Sequence, residues 1–487
     1  MMRKVKSLFF ENQTVKQTFF KNTFWLTFGT GISRTIRAGL VIAAARVLQT
    51  AGYGVFAYAL SFAAFFTVFS DIGLSGLLTR ELVKGKQEKE RYLATTFYIK
   101  IFLVLASVLF TAFIGPFFTN IEDAKKLIPI VAFLTAFDSM RGFFFSVVRA
   151  YNKMEVESAF TIFTEIAITS LSALVLIFRP SSLFLTIAYT LGSGLGFLGI
   201  ALYTRKIWIP AVKNFFDKSL IKTIFKSALP FAVMGLLGTF MINIDSVILG
   251  IFRSAEELGL YAVAQKPVQL LYLLPSLVST SFFPLLSLMV HKGEKAKVES
   301  LVQKLTIGIF ALSLPMTIGG VILGKELILL FFGARYIGAT LTFQLLLLTL
   351  IPVFLGLIIG NVVFAYDMQK IFIKTTAIGA ILNTALDFVF IPPYGIWGSA
   401  IATIIADVAA NSYTWIWVNK IVRIDIFKNS LKIIFSAVLM GLIVWELKSL
   451  GVNVLLILLS GVLTYFISLI ALKEPLLKSI PVVKKLV

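Results

Sequence analysis

The chain has 487 residues, 58% hydrophobic and 14% charged, with a net charge of +21 and no cysteine. Its mean hydropathy is +0.92, too apolar for a soluble fold, which needs more polar surface to stay in solution. The absence of cysteine excludes disulfides, thiolate nucleophiles and Cys-ligated metals, and the basic residues are spread over many short gaps, so no nucleic-acid partner is expected.

Residues 1–21 are basic and mixed polar, with phenylalanine pairs at Phe9-Phe10 and Phe19-Phe20. They lack the early apolar core of a cleaved signal and predict a cytosolic interfacial segment that leads into the first span. Fourteen apolar stretches follow, at 22–46, 52–79, 93–118, 127–151, 157–178, 181–203, 227–250, 259–290, 305–323, 337–366, 371–391, 396–419, 431–447 and 452–472. Each is near the roughly 20 residues that cross a bilayer as a helix. Lys and Arg alternate between the gaps: 32 fall on one side and 7 on the other, with Arg149, Lys374 and Lys432 at span ends counted with their gaps. The rich side is the cytosol, which puts both termini there and the protein in the plasma membrane. Anionic headgroups of the inner leaflet are natural partners for these loops.

The chain repeats itself. Gly54-Val55-Phe56-Ala57-Tyr58-Ala59 opens span 2, and Gly259-Leu260-Tyr261-Ala262-Val263-Ala264 opens span 8, an offset of 205. Ala150-Tyr151-Asn152-Lys153 ends span 4 and Ala365-Tyr366-Asp367 ends span 10, an offset of 215. The ten extra residues are absorbed by a short interfacial piece at 324–336. The fold class expected is therefore an all-α polytopic membrane protein with two six-helix lobes. An even number of spans per half makes the repeat parallel. The N-lobe is 22–203, a cytosolic linker with Pro210 is 204–226, the C-lobe is 227–419, and 420–487 adds a helix pair and tail.

Charges at bilayer depth cost at least ~2.5 kcal/mol on insertion scales, so they face a cavity or a partner. Arg34 and Arg37 share a face of span 1, and Asp138 and Arg141 lie three apart in span 4. These four sum to two positive charges, which suits an anionic group; the planar guanidinium fork suits phosphate in particular. Lys266 in span 8 either joins this set or pairs with Asp245. The carboxylates Asp71, Asp138, Glu165, Asp245, Asp387 and Asp407 are open to two roles, structural partners or carriers of H⁺ or Na⁺. Pro267, Pro275 and Pro284 predict a bent or gating span 8. Gly319–Lys325 has the spacing of a phosphate loop, but Glu326 replaces the hydroxyl residue and no strand precedes it, so no ATP site is expected. His291, the one histidine, is expected in a solvated loop.

Several segments taken together resemble a known family. Ala45-Arg46-Val47-Leu48, Gly52-Tyr53-Gly54-Val55-Phe56, Ser70-Asp71-Ile72-Gly73-Leu74-Ser75 and Thr79-Arg80-Glu81 resemble the opening of Wzx-like polysaccharide or O-antigen flippases. Asn243-Ile244-Asp245, Leu258-Gly259-Leu260-Tyr261 and Phe283-Pro284 look like the counterparts in the second half. The resemblance runs from about residue 20 to 420 and places the chain in the multidrug/oligosaccharidyl-lipid/polysaccharide exporter (MOP) superfamily. It implies alternating access and flipping of a polyprenyl-diphosphate-linked oligosaccharide for surface polysaccharide synthesis. A glycan polymerase or biosynthesis complex would be the protein partner. Arg34, Arg37, Arg141 and Lys266 would bind substrate, no cofactor is needed, and H⁺ or Na⁺ would couple the cycle. A lipid II flippase shares the fourteen spans. A multidrug and toxic-compound (MATE-type) cation antiporter usually has twelve and favours cations. A polymerase or ligase enzyme would carry a large outside loop, and every outside gap here is short.

Overall fold

The computed structural model describes residues 10–82, 86–426 and 430–475. Residues 1–9 of the expected interfacial segment 1–21 lie outside the described residues, as does the end of the C-terminal tail. The described chain is helical: α1 Val15–Thr67, α2 Leu74–Glu81, α3 Lys86–Phe113, α4 Glu122–Ala150, α5 Met154–Phe178, α6 Ser182–Asn214 and α7 Leu220–Phe252. There follow α8 Ala255–Leu271, α9 Leu273–His291, α10 Lys295–Ile322, α11 Gly324–Phe332, α12 Thr340–Leu347 and α13 Leu350–Ala365. The last four are α14 Gln369–Tyr394, α15 Ile396–Asn419, α16 Leu431–Ser449 and α17 Val454–Ala471.

Helix α1 has 53 residues, about 80 Å if straight, against about 30 Å of hydrocarbon. It is two spans. Gln49 leaves helical geometry at φ 63°, and the contacts on either side show a reversal. Lys21 meets Asn152 and Glu155 at the start of α5, Arg37 meets Glu165 midway along it, and Gly52 accepts from Ser182 at the far end. Beyond the turn, Tyr58 reaches Phe118 and Asp71 reaches back to Lys100 in α3. Among the described residues ten helices are long and apolar enough to cross a membrane, or eleven with one bent pair. With α1 counted as two limbs, and with α15 and the more charged α16 added, the count reaches the fourteen expected crossings.

Two compact units divide at Gly259 and Leu260. In the first, α2–α6 pack around Phe143, Phe144, Val147, Leu78 and Leu93. In the second, α10, α13, α16 and α17 share a core that includes Ile433, Ala437, Met440 and Tyr465. The Tyr465 hydroxyl donates to the Ala311 carbonyl at 2.6 Å, so the terminal hairpin is docked on α10. The expected linker 204–226 is largely helical: α6 runs on to Asn214, α7 starts at Leu220, and only 215–219 lies between. The unit boundary therefore falls one helix later than the linker.

The repeat is visible in the backbone. Asn152 and Asp367, the equivalent positions after spans 4 and 10, both take φ 55°, a left-handed turn that Asn and Asp tolerate best among residues with a side chain. The offset of 205 carries Thr67, where the second limb of α1 ends, onto Tyr272, where α8 gives way to α9. Gly54 and Gly259 meet. A methyl on Gly54 would collide with the Ala255 carbonyl and lie 2.6 Å from the Gly259 nitrogen. A methyl on Gly259 would collide with the Thr50 carbonyl. Thr50 and Ala255 are themselves related by 205, so equivalent residues exchange equivalent contacts.

Candidate functional site

Three helices of the first unit, α1, α4 and α5, bring charged residues together, and α6 adds polar ones. Close approach of α6 to α5 helps to build the site: Gly192 lies against the backbone of Ile168, where a methyl would sit 2.6 Å from its Cα. That approach places Tyr189 and Ser193 of α6 beside the arginines. Arg37 donates from Nε to Glu165 Oε2 at 3.2 Å and from Nη2 to Oε1. The fork engages a carboxylate that is 6% exposed, while its own side chain is 48% exposed. The pair uses two of five guanidinium donors and leaves the others outward. Arg141 Nη2 lies 2.9 Å from Asp138 Oδ1. Its Nη1 donates to Ser193 Oγ at 2.9 Å, and that hydroxyl donates to Asp138 at 2.5 Å. Arg, Asp and Ser thus form a closed ring across α4 and α6.

Arg34 differs. It is exposed, it stands in the field of Arg37, and it makes no ion pair or hydrogen bond among the described residues. The sequence summed Arg34, Arg37, Asp138 and Arg141 to two positive charges. The structure brings Glu165 into the set and lowers the surplus to one, carried by Arg34. Asp71 pairs with the fully buried Lys100 of α3 and accepts from Ser75 Oγ at 2.6 Å, so it serves the break within span 2 and no arginine. Lys100, Tyr189 and Ser193 are the residues that sequence reasoning missed. Lys100 could have been found from its depth in span 3; Ser193 carries no signal of its own.

The other candidates sit on other helices, α7, α8, α14 and α15. Asp245, 1% exposed, belongs to the first unit. Lys266, on α8 of the second, lies 3.4 Å from Gln269 Oε1. Asp387 is fully buried on α14, one turn from Asn383, which is 3% exposed and has neither amide atom hydrogen-bonded among the described residues. Asp407 is 8% exposed on α15, the helix most extensively packed on α14. Among the described residues no three His, Asp or Glu side chains form a metal-holding group. The proline-rich span 8 is bent as expected, by 44° between Ala255–Ser279 and Phe282–His291. Helix α8 ends at Leu271 because Pro275, four residues on, has no N–H for that carbonyl.

The family model for polysaccharide biosynthesis protein matches residues 19–290, more than half of the chain and all four site helices. The chain belongs to the polysaccharide biosynthesis protein family. Among curated members it is similar to the probable low-salt glycan biosynthesis flippase Agl15 of Haloferax volcanii, 24% identical over 205 residues. That alignment spans 42% of each protein, less than half the relative's length. In fold it is similar to the lipid II flippase MurJ in an inward closed conformation, with TM-score 0.76 at 20% identity over 91% of this chain and 97% of that one. A multidrug resistance MATE transporter in an inward-facing conformation gives 0.66 at 11% identity over 80% and 94%. This member of the family therefore has the MOP transporter fold.

Proposed function

We propose that the chain is a flippase, a transporter and not an enzyme, that moves a polyprenyl-diphosphate-linked oligosaccharide from the cytoplasmic to the outer leaflet of the plasma membrane by alternating access. One observation carries the reading: a polysaccharide-family chain holds an unpaired arginine, Arg34, at mid-helix beside a buttressed one, Arg37. An uncompensated charge at that depth needs a ligand of opposite sign, and a diphosphate offers oxygens to two forks at once. Glu165 orients Arg37, and the Arg141–Asp138–Ser193 ring holds the neighbouring wall. The lipid tail stays in the bilayer. Both termini face the cytosol, where the basic loops meet anionic headgroups.

A cation at the buried carboxylates of the second unit supplies the coupling, with Asp387 and Asn383 as first candidates and Asp407 beside them. Lys266 belongs to the same proposal as a second-unit contact for the anion. A glycan polymerase is a further partner on this reading.

Proteoliposomes loaded with a fluorescent polyprenyl-diphosphate oligosaccharide test it. Wild type flips the lipid, and Arg34→Ala, which orphans no carboxylate, slows flipping at least tenfold, since one charge-assisted contact is worth about 1.5–3 kcal/mol. Flipping by Arg34→Ala at the wild-type rate overturns the phosphate role. Uptake of a cationic dye with no lipid flipping overturns the flippase reading and favours an antiporter.

A further inference from the structure

The second unit holds a cavity of about 620 Å³ at the ends of α9, α13 and α14, inside the 300–1,000 Å³ usual for small-ligand sites. Two phenyl rings, Phe283 and Phe364, form part of its wall. Its polar groups are Ser287, His291, Asn361, Asp367 and Gln369. Among the described residues no lysine or arginine lines it, although Lys292 and Lys370 are next in sequence to His291 and Gln369. With one carboxylate and no such cation, the wall offers a diphosphate no guanidinium or ammonium partner. Aromatic faces beside uncharged donors and acceptors match instead the two surfaces of a sugar ring, its C–H faces and its hydroxyl edge.

The repeat shows that the opening is particular to this half. At the equivalent turn of the first unit, the buried Lys21 ammonium donates to the Asn152 carbonyl at 2.9 Å, and Asn22 reaches the Asn152 side chain at 3.3 Å. That turn is plugged by the chain itself. At Asp367 the turn has the same φ of 55°, but among the described residues its side chain has only a long hydrogen bond, 3.5 Å from Gln369 Nε2. The same backbone feature is filled in one half and lines a cavity in the other. Asp367 makes no ion pair among the described residues, and Asn361 donates to the Leu357 carbonyl at 3.1 Å.

We propose that this cavity is a glycan subsite, which holds a neutral hexose or N-acetylhexosamine of the lipid-linked substrate. The assignment rests on the flippase reading for its biological ligand, but binding of the free sugar does not. Phe283 and Phe364 take the ring faces, and Asn361, Gln369 and His291 pair with hydroxyls. Asp367 accepts from two hydroxyls and excludes uronates by like charge.

The test uses the full chain in nanodiscs and saturation-transfer NMR with methyl glycosides of glucose, galactose, mannose, N-acetylglucosamine and glucuronate. At least one neutral glycoside receives transfer from wild type, reduced fivefold or more in Asn361→Ala/Gln369→Ala, whose folding is checked by size exclusion. Asp367→Asn, which keeps a residue suited to the left-handed turn, admits the glucuronide. No transfer to any neutral glycoside, or transfer unchanged in the double variant, overturns the subsite. So does displacement of the sugar by tetraphenylphosphonium at low concentration, which would mark a cation pocket. Lipid flipping is read separately: wild type that binds sugar but flips no lipid sinks the flippase reading and leaves the subsite standing.

Discussion

Glu165 and Arg37 show how one residue can do two things at once. The carboxylate is almost fully buried and the guanidinium half exposed, so the acid acts as an anchor and the base as the presented surface. Glu165→Gln keeps the shape and removes the anchor's charge. The expected outcome is retained folding with a raised half-saturating lipid concentration and a maximal rate within about twofold, checked in the proteoliposome assay. At the loop between α6 and α7, Asp217 accepts from the Ser219 hydroxyl at 2.6 Å and backbone N–H at 2.8 Å and pairs with Arg91. The Ser219 hydroxyl first, then Arg91, hold its carboxyl down at about 2. A depressed folded value means the stabilisation is complete above the unfolded value of about 4 and is lost as pH falls from there towards 2. Hydrogen exchange at Ser219 and Leu220 should therefore quicken below about pH 4 in wild type and show no such step in Asp217→Asn. The arginines were legible in the sequence because a charge inside an apolar stretch stands out. Asp138 and Glu165 were legible as partners for the same reason, but Ser193 and Tyr189 were not, since they are ordinary residues until two helices touch.

Helix breaks belong to the next scale. The second limb of α1 stops at Thr67, Ile72 and Gly73 turn left-handed at φ 41° and 74°, and α2 resumes at Leu74. Asp71 sits in this break, and its partner Lys100 is fully buried. Lys100→Met leaves the carboxylate facing a dry neighbour and should cost about 3 kcal/mol. Adding Asp71→Asn should recover most of it, both read as shifts in the thermal melt in detergent. The sequence placed every span on a helix, because an apolar run of bilayer length has few other uses, although the helices of spans 6 and 9 extend about ten residues further, to Asn214 and from Lys295. It missed that span 2 is interrupted: Ser-Asp-Ile-Gly reads as helix by hydropathy, and only the tertiary pairing of Asp71 reveals otherwise. The kink in span 8 was legible because proline acts locally.

For the molecule as a whole, topology is the property that the alternating charges specify most directly. The chain has no cysteine, so single introduced cysteines report sidedness without background. Cysteines at Lys89, Lys218 and Lys297 should react with an impermeant maleimide only in inverted vesicles. Cysteines at Asn120 and Ser181 should react only in right-side-out ones. One position that labels from the wrong side would break the fourteen-span topology. The two-fold kinship of the halves was legible in two short motifs, because only the residues at helix contacts and sharp turns are held to type, while those that face lipid drift. Gly54 and Gly259 carry that kinship furthest. Each presses on the other's helix start, so they are the two faces of a single joint. Gly54→Ala and Gly259→Ala should each lower the melting temperature, and the double variant should fall well short of the sum of the two losses. A half-length ancestor that paired with its own copy would have met itself at this same glycine, so one residue in that older chain would have served where two are now required.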